Sequence, residues 1–351
     1  MENNLSFLSE DEIGSLRLTG MILHVVGDQE FSPEHERIIE HEEFFIDRIK
    51  NTDVSPIFKF NADSQTKSRI ESISNGAITF EQGAQELARD FSRLHVAASR
   101  DGAFFIFEMS CNEQNTKIYS FVKYDYSEAI EQSSTEEGSL LRRIVTAFIA
   151  DKKAIQKATL IRTVNGVAQD AVSALDRAKQ APDIVDYFAK FFGVERNRDN
   201  QELNRNTLEV VRHVIVSEKD NFPNCDAASA VRQAQGYLRD CQIINNQTIS
   251  DSIMLALGNP DNEADRTRVN RKTERRIASN RLSGLSFAPD RNILRLPLTR
   301  KVKTIEGVII SYPNDEGGTL VSRTPREEGG ETITITTSLI TEDSVVSNKS
   351  R

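Results

Sequence analysis

Tryptophan is absent from the chain, and all aromatic residues together make up only 7% of it. With rings so sparse, any place where they concentrate calls for an explanation. Cysteine is scarce as well: Cys111, Cys225 and Cys241 are odd in number, widely spaced and form no C-x-x-C pair. That pattern excludes a disulfide framework and suits a reducing compartment. Long apolar runs are missing too. Ala103-Phe-Phe-Ile-Phe107 is among the longest, far below the ~20 residues of a membrane span. The opening MENNLSFLSEDEIG has no basic segment leading into an apolar core, so no secretory signal is read there. The expectation is a cytoplasmic protein with no membrane partner. With 38% hydrophobic and 28% charged residues, a chain of 351 residues has enough apolar material for a sizeable core.

Positive charge is in deficit overall. There are 44 Lys and Arg against 53 Asp and Glu, a formal net charge of −9. Such a balance ordinarily argues against a polyanion partner, because phosphate binding is driven by Lys and Arg displacing counterions. The distribution argues the other way. Residues 266–303 hold nine Arg and three Lys against only Glu274 and Asp290, a local charge of +10 that leaves −19 for the rest. Charge asymmetry between regions is a better guide to partners than the total.

The pattern along the chain predicts an α+β fold. A mixed sheet-and-helix N-terminal region is expected over residues 1–168, a helical region over 169–265, and a basic linker with a small antiparallel β unit and frayed tail over 266–351. Residues 16–26 read as a strand. Ser32 and Pro33 offer an N-cap and a first helical position for a charged helix to about Lys50. A short strand follows at 56–60, and Thr79 caps a helix to about Ser99. Residues 102–110 and 117–126 alternate as a hairpin around 112–115, with further strand pairing at 140–164. From Gln169 to Gly258 the period turns helical, with helices near 200–217, 227–240 and 250–257. Asn259-Pro260-Asp261-Asn262 marks a turn. Four short strands are expected at 302–305, 307–312, 318–322 and 331–337, joined by Gly-rich turns.

The rings concentrate in VDYFAKFFGVE, residues 185–195. Pro182 suits a first helical position, Asp183 and Asp186 the positive first turn, Lys190 the last turn, and Gly193 the end. At ~100° per residue, Ile184, Val185, Phe188, Ala189, Phe191 and Phe192 share one arc. A base-stacking platform would instead interleave rings with cations on a strand or loop. The segment therefore reads as a core-forming helix.

This motif also carries a resemblance. Phe188 and Phe191-Phe192-Gly193, followed by a helix through Thr207 and Leu208, resemble the bacterial nucleoid-associated protein family, the NdpA-like group. The N-terminal order of strand, charged helix and helix leading into Gly102-Ala-Phe-Phe-Ile-Phe107 agrees with it, as do Lys301-x-Lys303, Val308-Ile-Ile-Ser-Tyr-Pro313 and Thr332-Ile-Thr-Ile335. The resemblance spans about residues 16–337 and rests on the order of several weak motifs. It implies a cytoplasmic bacterial protein associated with the nucleoid and its DNA. It also makes a DNA-topology enzyme, such as a type II topoisomerase, an expected partner. It brings no catalytic residues.

The candidate nucleic-acid contacts are Arg266, Arg268, Arg271, Lys272, Arg275, Arg276 and Arg281, extended by Arg300, Lys301 and Lys303. On a helix, Arg268, Arg271, Lys272, Arg275 and Arg276 would form a broad cationic face suited to bidentate phosphate contact. No recognition-helix or zinc-finger signature accompanies them, so duplex DNA would be bound without sequence readout. The competing readings are a solvated run paired with the acidic N-terminal half, or a protein-docking surface. In the second case the chain is an adaptor that reaches DNA through its partner. A homodimer is left open.

Other chemistry finds little support. His35 and His41 in HERIIEHEE are six apart and cannot share a helical face, so no metal is expected. Asp151-Lys152-Lys153 lacks the preceding Pro-Asp of a common metal-nuclease order. There is no Walker loop for a nucleotide cofactor and no G-x-S-x-G elbow. Cys111 could meet His24 or His95 in space, but it reads as a structural thiol. His95 and His213 fall at the edges of apolar arcs. A non-enzymatic protein without cofactors is the expectation.

Overall fold

The computed structural model describes residues 6–26, 31–94, 102–125, 155–177, 182–222, 226–295, 299–313, 321–326 and 329–336. Contacts divide the chain into two units, Met1–Leu294 and Arg295–Arg351. The fold is α+β.

The first unit is built on seven strands: β1 (Arg17–Val26), β2 (Phe58–Phe60), β3 (Gly102–Ser110), β4 (Thr116–Asp125), β5 (Ile155–Val164), β6 (Val167–Asp176) and β7 (Val194–Arg196). They form one antiparallel sheet in the order β1-β3-β4-β5-β6-β2-β7. The β3–β4 turn ends on Asn115 at φ 58°, and β5 and β6 are joined by Asn165 and Gly166 at φ 52° and 79°. Two successive positive-φ residues make the tight turn that matches strand twist, and Asn-Gly is its preferred sequence. The two tips are tied together, with Asn115 Nδ2 donating to Asn165 Oδ1 at 3.0 Å.

Side chains alternate across the strands, so the sheet buries both faces. Phe7, Leu8, Phe105, Phe107, Ile118, Val122 and Leu160 belong to one core, covered by α1 (Glu10–Ser15) and α2 (Glu42–Lys50). Phe104, Ile106, Tyr119, Phe121, Ile161 and Val172 face the other core. That core is covered by α3 (Gln65–Ser74), α4 (Phe80–Leu94) and α5 (Asp186–Phe192). It continues without a break through α6 (Asn200–Glu218), α7 (Ala227–Asp240), α8 (Asn246–Ala256) and α9 (Glu263–Ser279). Among the described residues, no helix is long and apolar enough to cross a membrane.

The ring cluster is the centre of this second core. Phe188, Phe191 and Phe192 are buried. Phe191 meets Phe91 edge-on at 5.0 Å, Phe192 meets Phe121 at 5.1 Å, and Phe91 stacks on Phe104 at 4.0 Å. Such offset and edge contacts add to the burial of each ring. The last carbonyls of α5 are satisfied from a distant segment: Thr66 Oγ1 donates to Phe191 O and Ser64 Oγ to Phe192 O, each at 2.6 Å. Gly193 ends the helix at φ 58°, where a Cβ would lie 2.9 Å from the Ser64 backbone. The rings hold the helix layer on the sheet.

The N-terminal segment is pinned by charge. Arg162 on β5 donates to Glu12 Oε1 and Phe7 O, both at 2.6 Å, and Asp53 accepts from Phe7 N at 2.9 Å and from Ser6 Oγ.

Several expectations are corrected. Residues 31–40 are not helical, and helix begins only at Glu42 after His41 at φ 59°. The backbone there bonds to β1 instead: Arg37 N donates to Met21 O at 2.8 Å and Glu34 N to His24 Nε2 at 3.1 Å. The aromatic helix starts at Asp186 rather than Pro182, because Val185 N is taken by the buried Asp176 at 2.9 Å. Residues 169–176 are strand, not helix: pairing with β5 overrides the helix-forming Gln, Ala and Leu side chains. The helix α3 was not expected, and α8 starts at Asn246 rather than 250. Thr79 does cap α4, accepting from Gln82 N at 3.2 Å. The expected strand over 140–154 and the helix end over 95–99 lie outside the described residues.

The second unit contains β8 (Thr299–Lys303) paired with β9 (Ile309–Pro313), and β10 (Val321–Pro325) paired with β11 (Glu331–Ile335). These are two separate two-stranded antiparallel sheets.

Candidate nucleic-acid interface

Helix α9 carries six of the twelve cations of the basic window. Asn262 caps it, accepting from Ala264 N at 2.9 Å, and Glu263 and Asp265 occupy the positive first turn. Val269, Thr273 and Ile277 recur every four residues and are buried, which fixes the helix face turned to the core. At ~100° per residue, Arg271, Arg275, Arg268 and Lys272 then fall within one arc of about 100° on another face. These four cations line an open groove of about 640 Å³, together with the buried Glu218 and the exposed Glu263.

Within this arc the cations divide into two kinds. Glu218, the last residue of α6, is held at 2% side-chain exposure. Its carboxylate accepts from Lys272 Nζ at 2.8 Å, Arg268 Nε at 3.1 Å and Asn221 Nδ2 at 2.9 Å. Burial works to raise its pKa, but the bonds from Lys272, Asn221 and Arg268 outweigh burial and hold the group below the ordinary carboxylate range. Arg268 also meets Asp265 at 2.5 Å. Arg268 and Lys272 are therefore committed within the protein. Arg271 and Arg275 on the arc, and Arg266 outside it, are exposed, and no carboxylate among the described residues lies within ion-pair distance of them.

The remaining candidates are placed differently. Arg276 leaves the expected face: it is half-buried beside the core stripe, with Nε lacking a hydrogen-bond partner among the described residues. Arg281 sits beyond the helix end at φ 53°, where its carbonyl accepts from Arg198 Nη1 at 2.5 Å, and its side chain is exposed. Arg300, Lys301 and Lys303 lie on β8, in the second unit. The +10 window is thus divided. Residues 266–294 hold eight cations and two acids, and residues 295–303 hold four cations and no acid. Among the described residues the ion pairs of α9 run to Glu218 and Asp265, and none runs to the N-terminal half that the competing reading names.

Glu218 was missed at the level of sequence, although a signal exists. It continues the apolar stripe of Val211, Val214 and Ile215 at i+3 and i+4 spacing, and an acid on a buried arc implies a cationic partner.

The other candidates gather no chemistry. His35 contacts Glu81 at 3.2 Å, while His41 stands at the start of α2. His24 lies opposite Phe104 in the β1–β3 register while Cys111 follows the other end of β3, so the two are not neighbours. Burial pushes the Cys111 thiol up, away from thiolate reactivity. His213 on α6 is held below its ordinary range by desolvation and by Arg276 and Lys272. His95, Cys225 and residues 151–153 lie outside the described residues. Among the described residues no three His, Cys, Asp or Glu side chains gather as a metal site.

No protein-family model matches the chain, and no curated protein matches it.

Proposed function

We propose that this chain binds duplex DNA without reading its sequence, through the arginine groove of α9, as a non-enzymatic nucleoid-associated protein of the bacterial cytoplasm. One observation carries the reading: Arg271 and Arg275, which line the groove, are exposed with no carboxylate partner among the described residues, in a protein whose net charge is −9. A guanidinium left unpaired on such a surface is a ready bidentate donor for phosphate oxygens. The overall negative charge limits contact to this strip, which suits local engagement of the backbone rather than wrapping.

Each phosphate engaged adds ~0.9 to the slope of log affinity against log salt, so the two free groove arginines set a slope of at least about 1.8 in magnitude. Arg271→Glu and Arg275→Glu together remove duplex binding at moderate salt, read by fluorescence anisotropy on purified protein. A double variant that binds as well as the parent refutes the groove. Failure of the parent itself to bind naked duplex assigns the chain instead to a protein partner that holds the DNA.

A further inference from the structure

We infer that the β8–β9 hairpin is a second DNA contact, one that inserts Ile305 between base pairs as an apolar wedge; this rests on the DNA reading above but on a different unit of the chain. The hairpin has a defined turn: Thr304 N donates to Val308 O at 2.9 Å, Gly307 N donates to Thr304 O at 3.1 Å, and Gly307 stands at φ 89°. This turn holds Ile305 at the tip at 102% relative exposure, with Val308 and Ile309 also exposed beside it. Cross-strand register places Lys301 opposite Ser311 and Lys303 opposite Ile309, and all four are exposed or at the exposed face. On the other face Val302, Ile310 and Tyr312 are half-buried.

The exposed side of the hairpin is therefore two lysines around an aliphatic patch that ends in an unburied isoleucine. Arg300, Lys301 and Lys303 have no carboxylate partner among the described residues, and Glu306 is the one acid in the hairpin. A two-stranded ribbon is narrow enough to enter a DNA groove, and an aliphatic wedge with flanking cations is a combination that unstacks a base step while gripping the phosphates on either side. A two-stranded hairpin is marginally stable alone, so a surface that covers its apolar tip would also order it. The cations choose a polyanion over an apolar partner as that surface.

The test uses the full chain with Ile305→Ser, Ile305→Leu and the double variant Lys301→Glu, Lys303→Glu, on a short duplex carrying a donor and acceptor dye at its ends. The parent bends the duplex and prefers one with a central mismatch by about tenfold, because a mismatch removes part of the unstacking cost. Ile305→Ser loses both the bend and the preference, Ile305→Leu keeps them, and the lysine reversal weakens binding and flattens the salt slope. Ile305 is fully exposed in a turn, so the serine does not endanger the fold. An unchanged bend and mismatch preference in Ile305→Ser overturns the wedge while leaving the α9 groove standing. Ile305-dependent capture by anionic vesicles, or self-association lost in Ile305→Ser, also overturns it and assigns the tip to a membrane or a second copy.

Discussion

Replacing Glu218 with glutamine should make the groove a stronger DNA binder, and the size of the gain follows from the ion pairs. In the parent, Glu218 occupies Lys272 at 2.8 Å and Arg268 at 3.1 Å, so two of the four groove cations are turned toward the protein. Neutralising the carboxylate releases Lys272, while Arg268 keeps its pair with Asp265. If Lys272 then meets a phosphate, the salt slope steepens by up to ~0.9, and affinity rises by up to ~0.9 log units at 0.1 M salt, vanishing toward 1 M. The cost in stability is small. Lys272 and Arg268 are 36% and 41% exposed, so solvent screens both pairs and the loss is about 1–2 kcal/mol at most. That loss also has a pH signature. Because the folded pKa of Glu218 lies below its ordinary value, its stabilisation is present at neutral pH and disappears as pH falls through the carboxylate range. The stability gap between parent and variant therefore closes in acid. Salt-titrated anisotropy reads the slope, and urea unfolding at two pH values reads the gap. An unchanged slope, or weaker binding, would show that Glu218 does not withhold Lys272 and refute the division of the groove.

The other predictions concern the fold. Burial, opposed by bonds from Ser6, Phe7 and Leu8 and by Arg162, raises the Asp53 pKa from 3.8 to about 6. The folded protein thus holds that proton more tightly, and the associated stabilisation, full below about 3.8, is lost as pH rises through about 6. Asp53→Asn should gain about 2–3 kcal/mol relative to the parent between about pH 4 and pH 7 in chemical denaturation, and a pH-independent difference would contradict this. Phe192→Ala removes a buried ring that touches Phe121, Phe188 and Phe191. It should cost about 3–5 kcal/mol in the same assay, and a loss below about 1 kcal/mol would show that the ring cluster is not the anchor of the helix layer.

What could be read without coordinates was the structure that local rules determine. The β3–β4 hairpin follows from two β-forming segments, the first a short continuous apolar run, on both sides of a polar turn, and the aromatic helix with Gly193 follows from an apolar arc closed by a residue that accepts positive φ. The failures lie where tertiary partners decide. Residues 31–40 carry a good helix start, but their N–H groups find better acceptors on β1, on His24 and on Glu81. The strand β6 reads as helix by propensity, although Asn165-Gly166 announces the hairpin that makes it a strand. The same division applies to the site. Six cations on one helix are visible in the sequence, but which of them stay available depends on Glu218, a residue fifty positions before Arg268.

The hydroxyls of Ser64 and Thr66 that close α5 have a consequence for synthesis. A helix of seven residues does not hold together in isolation, and the hydroxyls that meet its terminal carbonyls lie more than 120 positions earlier and are made first. On the ribosome, then, the sheet emerges with Phe104 and Phe121 uncovered until residue 192 has left the exit tunnel. A chain terminated before that point presents a bare aromatic surface to every other nascent chain around it, so premature stops upstream of the ring cluster should yield inclusion bodies rather than a shortened, folded protein.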